Sequence, residues 1–184
     1  MKKTLLFVAL MMSIFSTIHL FAQSQTSLIK PSRMEFGFNL NQFENDFGTG
    51  INFTSPFFVK NTFAVRISGS YQWLQNIPSG STDTKWSGYI NIRFGVIGVG
   101  GIIANSIRLY GEGGWVVIVP NKNFSDKTSF GGYGLFGFEF FMTDRINYFI
   151  ELGGIGTGAT AEKLAGKPIY SNGFLISTGF RVSL

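Results

Sequence analysis

The side chains best equipped for chemistry in this chain are four arginines and four glutamates: Arg66, Arg93, Arg108 and Arg181, with Glu35, Glu112, Glu139 and Glu151. Each lies where polar and apolar residues alternate, and each falls on the polar side of that alternation. Two chemistries suit such a set. Charges lining a water-filled passage form a constriction or gate that selects ions, whereas charges facing one another in a narrow interior pair into a salt-bridge core. Equal numbers of the two signs favour the salt-bridge core, because isolated charges in a narrow interior are too costly to desolvate.

Other reactive groupings are scarce. The only histidine is His19, near the N-terminus. A serine nucleophile needs a base that titrates near neutrality, so no catalytic residue is assigned and no enzyme is expected. The chain has no cysteine, which excludes thiolate metal sites, disulfides and a lipoprotein anchor. Glu44-Asn45-Asp46 offers two carboxylates to calcium, but without an EF-hand frame it reads as a solvated loop. Gly132-Tyr133-Gly134-Leu135-Phe136-Gly137 spells G-x-G-x-x-G inside a strand-like segment and opens no helix, so it implies no dinucleotide. A structural role suits those glycines better, with Trp115 or Val117 covering their bare backbone across a hairpin. No cofactor and no metal is expected.

The elements that must position the charges are strands. Hydrophobic residues make up 45% and charged ones 14%, yet after the first 23 residues no stretch approaches the ~20 apolar residues of a membrane helix. Twenty-one Phe and 24 Gly favour strands with tight bends. Alternation marks eight candidates, at 34–40, 50–54, 63–73, 85–96, 107–119, 130–140, 146–152 and 173–184. In the clearest, Phe63, Val65, Ile67, Tyr71 and Trp73 share one face, and Ala64, Arg66, Ser68, Ser70 and Gln72 the other. Segments of this length separated by turn residues are the pattern of a transmembrane β-barrel, and eight is the smallest number seen.

A soluble barrel also alternates, with its apolar face inward around a ligand. Here the apolar faces are almost free of charge, where a water-facing surface would carry roughly a quarter or more charged residues. They would also overfill an eight-stranded interior. The apolar face therefore points to lipid, and the expected fold is an all-β, eight-stranded, antiparallel up-and-down transmembrane barrel with a polar, side-chain-filled lumen.

Residues 1–23 read as a secretory signal peptide: Lys2 and Lys3, an apolar core from Leu5 to Phe15, and cleavage after Ala22 or Gln23. The barrel domain then spans 24–184. Without Lys2 and Lys3 the net charge falls from +5 to +3, and no Lys/Arg cluster points to nucleic acid. The upper connections are expected at 41–47, 74–84, 120–129 and 157–168 as exposed loops, and the lower ones at 55–62, 97–106 and 143–145. Trp73, Trp86 and Trp115 fall toward the upper ends as an aromatic girdle, with Phe57, Phe63, Phe140 and Tyr148 as the lower one.

The last segment closes with Ser-Thr-Gly-Phe-Arg-Val-Ser-Leu, in which Ser177, Gly179, Val182 and Leu184 carry a spacing of polar, glycine and apolar residues. In this segment the chain resembles the small bacterial outer-membrane barrels of the OmpA/OmpX type, although Leu184 stands where a terminal Phe is commoner. Its leader, ending in Ala-Gln, is similar to those of Bacteroidota outer-membrane β-barrel, or porin family, proteins. The resemblance implies residence in the bacterial outer membrane, contact with its lipid, and delivery to the barrel-assembly machinery through the C-terminal strand. It implies a monomer without the peptidoglycan-binding domain of longer relatives. Barrel enzymes of this size that act on lipid A look histidine-dependent, which again argues against catalysis. The expected role is structural or interactive, through loops that meet an extracellular partner; the alternative is a narrow porin for small polar solutes or ions.

Overall fold

The computed structural model describes residues 32–184 except 45, 78–82 and 165. The expected signal peptide lies outside the described residues. Eight strands follow one another: β1 (Glu35–Gln42), β2 (Asp46–Thr54), β3 (Phe63–Asn76), β4 (Lys85–Ile103), β5 (Ile107–Val119), β6 (Ser129–Phe141), β7 (Ile146–Gly156) and β8 (Gly173–Ser183). Each pairs antiparallel with its neighbour in sequence, and β1 pairs with β8 from Glu35↔Ser183 to Gln42↔Ile176, so the sheet closes into a barrel. Closure matters physically because a sheet edge in hydrocarbon would leave backbone N–H and C=O groups without partners.

The register spirals. From Glu35 the ladder leads through Thr54, Arg66, Gly95, Gly114, Tyr133 and Ile155 to Gly173. Gly173 lies above Ile176, the partner of Gln42 at the upper end of β1. One circuit thus climbs past the whole of β1, the stagger that tilted strands need to close a barrel.

Outward positions are apolar and exposed: Phe36, Phe38, Leu40, Ile51, Ile67, Phe94, Val96, Phe136 and Phe180. Inward ones are buried, and the alternation follows the parity expected from the sequence. Trp73 and Trp86 join Phe47 in a ring cluster on the upper outer face, each with its centroid 5.2 Å from that of Phe47. Trp115 stands apart on β5 at 75% exposure. At Gly132, its partner, a β-carbon would meet only the Gly114 carbonyl, at 3.6 Å, so Trp115 does not cover that glycine as expected. Below, Phe140, Tyr148 and Phe180 form a chain of rings. Phe57 is not in that lower girdle: it turns into the barrel mouth and is 8% exposed.

Several boundaries move. The expected connection at 97–106 shrinks because β4 runs on to Ile103 and turns tightly through Ala104 and Asn105, both at positive φ. A bulge between Val99 and Gly101 shifts the register there, so Ile102 faces Arg108 and parity fails beyond that point. The β1–β2 turn is likewise shorter than 41–47, since Asn41, Gln42, Asp46 and Phe47 are all in strands. Phe43 in that turn is folded inward, at 2% exposure.

The apolar belt predicts a depth-dependent penalty for charge. Ile67→Arg should destabilise the barrel by about 2–4 kcal/mol, and Gln75→Arg, exposed near the upper end of β3, by about 0–1 kcal/mol. Urea unfolding in lipid vesicles measures both; equal costs would mean that Ile67 does not face lipid.

Candidate functional site

The lumen is the place where functional side chains converge, and it has two storeys. In the lower one strand parity sets the direction: residues two apart along each strand aim their side chains at the barrel axis. All eight predicted charges arrive there, none more than 9% exposed. Arg66 Nη1 contacts Glu112 Oε2 at 2.5 Å and Glu151 Oε1 at 2.9 Å, while its Nε donates to Thr54 Oγ1 at 2.8 Å. Arg181 reaches Glu151 at 2.5 Å and Glu139 at 3.4 Å, and donates to Asn52 Oδ1 at 3.2 Å. Arg108 joins Glu139 at 2.8 Å and Glu35 at 3.3 Å, lying over the Phe57 ring at 4.4 Å to seal the lower mouth.

Tyrosines complete the network. Tyr110 donates to Glu151 at 2.6 Å and accepts from Arg181 at 3.0 Å, and Tyr133 donates to Glu112 at 2.5 Å. Arg181 is 0% exposed and packs over the Phe149 ring at 3.7 Å. The arrangement departs from four matched pairs in one respect. Three arginines hold all four glutamates, and Arg93 forms no ion pair among the described residues. Arg93 instead donates to Asn41 Oδ1 at 3.3 Å and lies 5.5 Å from the centre of the Tyr133 ring. Its charge balances the surplus carboxylate of the network from a distance.

The upper storey is less polar than expected: beside buried Asp46, Asn76, Ser125 and Ser171 it is largely apolar. Leu74, Tyr89, Val116, Ile118 and Leu175 line it, and loop residues fill it: Phe124 from the β5–β6 connection and Ala159, Ala161, Leu164 and Tyr170 from the β7–β8 connection. The segments expected as exposed loops at 120–129 and 157–168 thus fold partly into the mouth as a cap. Lys163 joins the two, donating through its backbone N–H to Phe124 O at 3.0 Å and pairing with Asp126 at 2.6 Å. Tyr89, Phe124 and Tyr170 meet edge to face, with Tyr170 5.0 Å from Tyr89 and 5.1 Å from Phe124. Asp46 ties cap to wall, its Oδ2 accepting from Tyr89 Oη at 2.7 Å and from the Ser171 N–H at 2.6 Å. Sequence reading missed the cap. Its traces were apolar residues at inward parity: Leu74, Leu175, and Val116 and Ile118 inside the run Val116–Val119 that has no alternation.

The C-terminal residues take two directions. Ser177 and Gly179 face inward, and Gly179 leaves no room for a β-carbon against Phe38 O. Val182 and Leu184 face outward, with the Leu184 N–H donating to Met34 O at 2.9 Å.

A closed eight-stranded sheet, apolar outside and salt-bridged within, defines a small transmembrane β-barrel. Among solved structures it is similar to the N-terminal β-barrel domain of Pseudomonas aeruginosa OprF, with a TM-score of 0.56 and 11% identity over 84% of this chain and 98% of that one. It is also similar to the outer membrane protein OprG from Pseudomonas aeruginosa, with a TM-score of 0.53 and 13% identity over 87% of this chain and 99% of that one. No protein-family model matches the sequence, and no curated protein does. At such identities the likeness is one of fold. The fold is that of small outer-membrane barrels, and with its apolar belt the location it fits is the bacterial outer membrane.

The network sets a ranking of substitutions. Arg181→Met leaves Glu151 to Arg66 and Glu139 to Arg108 but removes one of the three arginines that hold four buried glutamates, and should cost about 3–5 kcal/mol. Arg93→Met breaks no ion pair and should cost clearly less. Denaturant titration of the refolded variants compares them, and an equal loss would show that Arg93 is as tightly coupled as Arg181.

Proposed function

We propose that the protein is a monomeric, non-enzymatic barrel of the bacterial outer membrane whose lumen is shut and whose role is structural or interactive, through the upper loops. The observation that carries this reading is the filled lumen: the Arg–Glu network occupies the lower storey and the aromatic cap the upper. An eight-stranded barrel has little room beyond its own side chains. The absence of any histidine after His19 supports a non-catalytic role. Lipid is the partner of the outer belt. The barrel-assembly machinery is the proposed partner of the last strand, through Ser177, Gly179, Val182 and Leu184. An extracellular partner would meet the β1–β2 and β3–β4 turns and the outer surface of the cap.

A narrow porin is the second reading, and one observation favours it. Between the network and the cap, Asn41 Nδ2, Gln72 Oε1, Asn91 Oδ1 and Ser177 Oγ are buried with no partner among the described residues. Such atoms are normally satisfied by ordered water, and a hydrated layer under a movable cap is the beginning of a pore.

Single-channel recording of the refolded protein separates the two. A sealed barrel should give no stable conductance, and whole-cell labelling should reach the upper loops. A reproducible wild-type conductance whose ion preference shifts in Arg93→Ala would replace the sealed reading with the porin. The native protein should also fractionate with the outer membrane and migrate differently on gels before and after heating, because a closed barrel resists unfolding in detergent until heated. Recovery in the soluble periplasmic fraction would contradict its membrane residence.

A further inference from the structure

The β7–β8 connection is folded within itself and only lightly tied to the wall beneath it. The Ala161 N–H donates to Pro168 O at 2.9 Å and the Tyr170 N–H to Ala159 O at 3.0 Å, which pairs the two arms of a hairpin. At its base Thr157 donates through Oγ1 to Ser171 O at 3.0 Å and through its N–H to Asn172 Oδ1 at 3.2 Å. These bonds staple the two stems together, so the hairpin moves as one body. A glycine flanks the staple on each side. Gly156 immediately precedes Thr157, and a β-carbon there would meet nothing within 4 Å; Gly173 immediately follows Asn172 at φ +89°. Small residues at the ends of an element are where a hinge absorbs a change of backbone angle.

Among the described residues, two hydrogen bonds run from this hairpin to the strands, and both end on Ser171. Its N–H donates to Asp46 Oδ2 on β2 at 2.6 Å, and its Oγ accepts from Asn91 Nδ2 on β4 at 2.7 Å. Ser171 is fully buried and lies at φ +49°, a left-handed conformation that a serine seldom adopts. The side-chain pair that fastens the hairpin to the β5–β6 connection, Lys163 with Asp126, is exposed on both sides and holds weakly.

We propose that the β7–β8 connection is a hinged lid, latched to the wall by Asp46 through Ser171, that lifts from the barrel mouth while the lower charge network stays shut. Lifting turns about Gly156 and Gly173 and withdraws Tyr170 from Tyr89. It opens the upper lumen, with Leu74, Val116, Ile118 and Leu175, to the outside. The latch is polar and local, whereas the network below is held by ion pairs on six strands, so the two levels open independently. This goes beyond the sealed reading of the lumen: it makes the upper seal conditional and leaves the lower one in place.

The chain has no cysteine, so an introduced thiol reports on one place only. Ile118→Cys, buried under the lid, and Ser68→Cys, buried in the lower storey, are refolded in detergent and treated with a water-soluble thiol reagent. Ile118→Cys should react measurably faster than Ser68→Cys. Adding Asp46→Ala should speed the reaction at 118 about tenfold or more, the order that loss of hydrogen bonds to a carboxylate implies for an opening equilibrium, and leave that at 68 unchanged. Should Asp46→Ala not fold, Ser171→Ala decides, since it loses the Asn91 bond and keeps the N–H to Asp46; a smaller rise at 118 is expected. An unchanged rate at 118 in the latch variants, or an equal rise at 68, would overturn the lid. Conductance is a separate readout: a current through the parent protein would overturn the sealed lumen and not the lid.

Discussion

In hydrocarbon no water is available to satisfy the backbone, and this one constraint organises the molecule. Every N–H and C=O at membrane depth must find a partner within the sheet, and a sheet can do so completely only by joining its first strand to its last. The β1–β8 pairing from Glu35↔Ser183 to Gln42↔Ile176 is that joint. Closure then divides the residues of each strand between lipid and a lumen too narrow for much water. The outward set must be apolar, and the inward set must fill the space and satisfy its own polar atoms.

The lumen meets the second demand in two different ways along its length. In the lower storey charge meets charge. Four glutamates and three arginines interlock, the Tyr110 and Tyr133 hydroxyls donate to Glu151 and Glu112, and guanidinium faces lie on the rings of Phe57, Tyr110 and Phe149. Breaking such a set is costly even where forming it contributes little net stability, so it specifies the lower lumen more than it stabilises it. In the upper storey apolar groups and the Tyr89–Phe124–Tyr170 cluster exclude water in place of ion pairs. Asp46 stands at the boundary between wall and cap and joins them through Tyr89 and Ser171.

The two storeys also bear on how such a barrel could serve the cell. In the proposed sealed form, the barrel offers its surroundings an outer belt and an upper surface, both suited to contacts rather than passage. Opening it to solutes would require both seals to yield, and they are held by unlike forces. The lower is electrostatic and weakens with a lost charge, while the upper rests on packed rings and on hydrogen bonds to one carboxylate.

Alternation along the chain was enough to determine strand number, antiparallel order, the lipid-facing side and the inward direction of Arg66, Arg108, Arg181 and their glutamates, because a period of two in a membrane sheet has only one consistent burial. Where that period breaks, the sequence by itself was silent. The bulge between Val99 and Gly101 reverses the faces of the residues after it; Gly98, Gly100 and Gly101 mark the place but do not fix where the register shifts. The partnership of three arginines with four glutamates, with Arg93 apart, depends on the stagger that sets which side chains share a level. The cap depends on tertiary structure most of all. Phe124 and Tyr170 look like loop residues in one dimension, and only a closed rim of strands gives them an apolar mouth to enter, bringing Ser171 to Asp46 from 125 residues away.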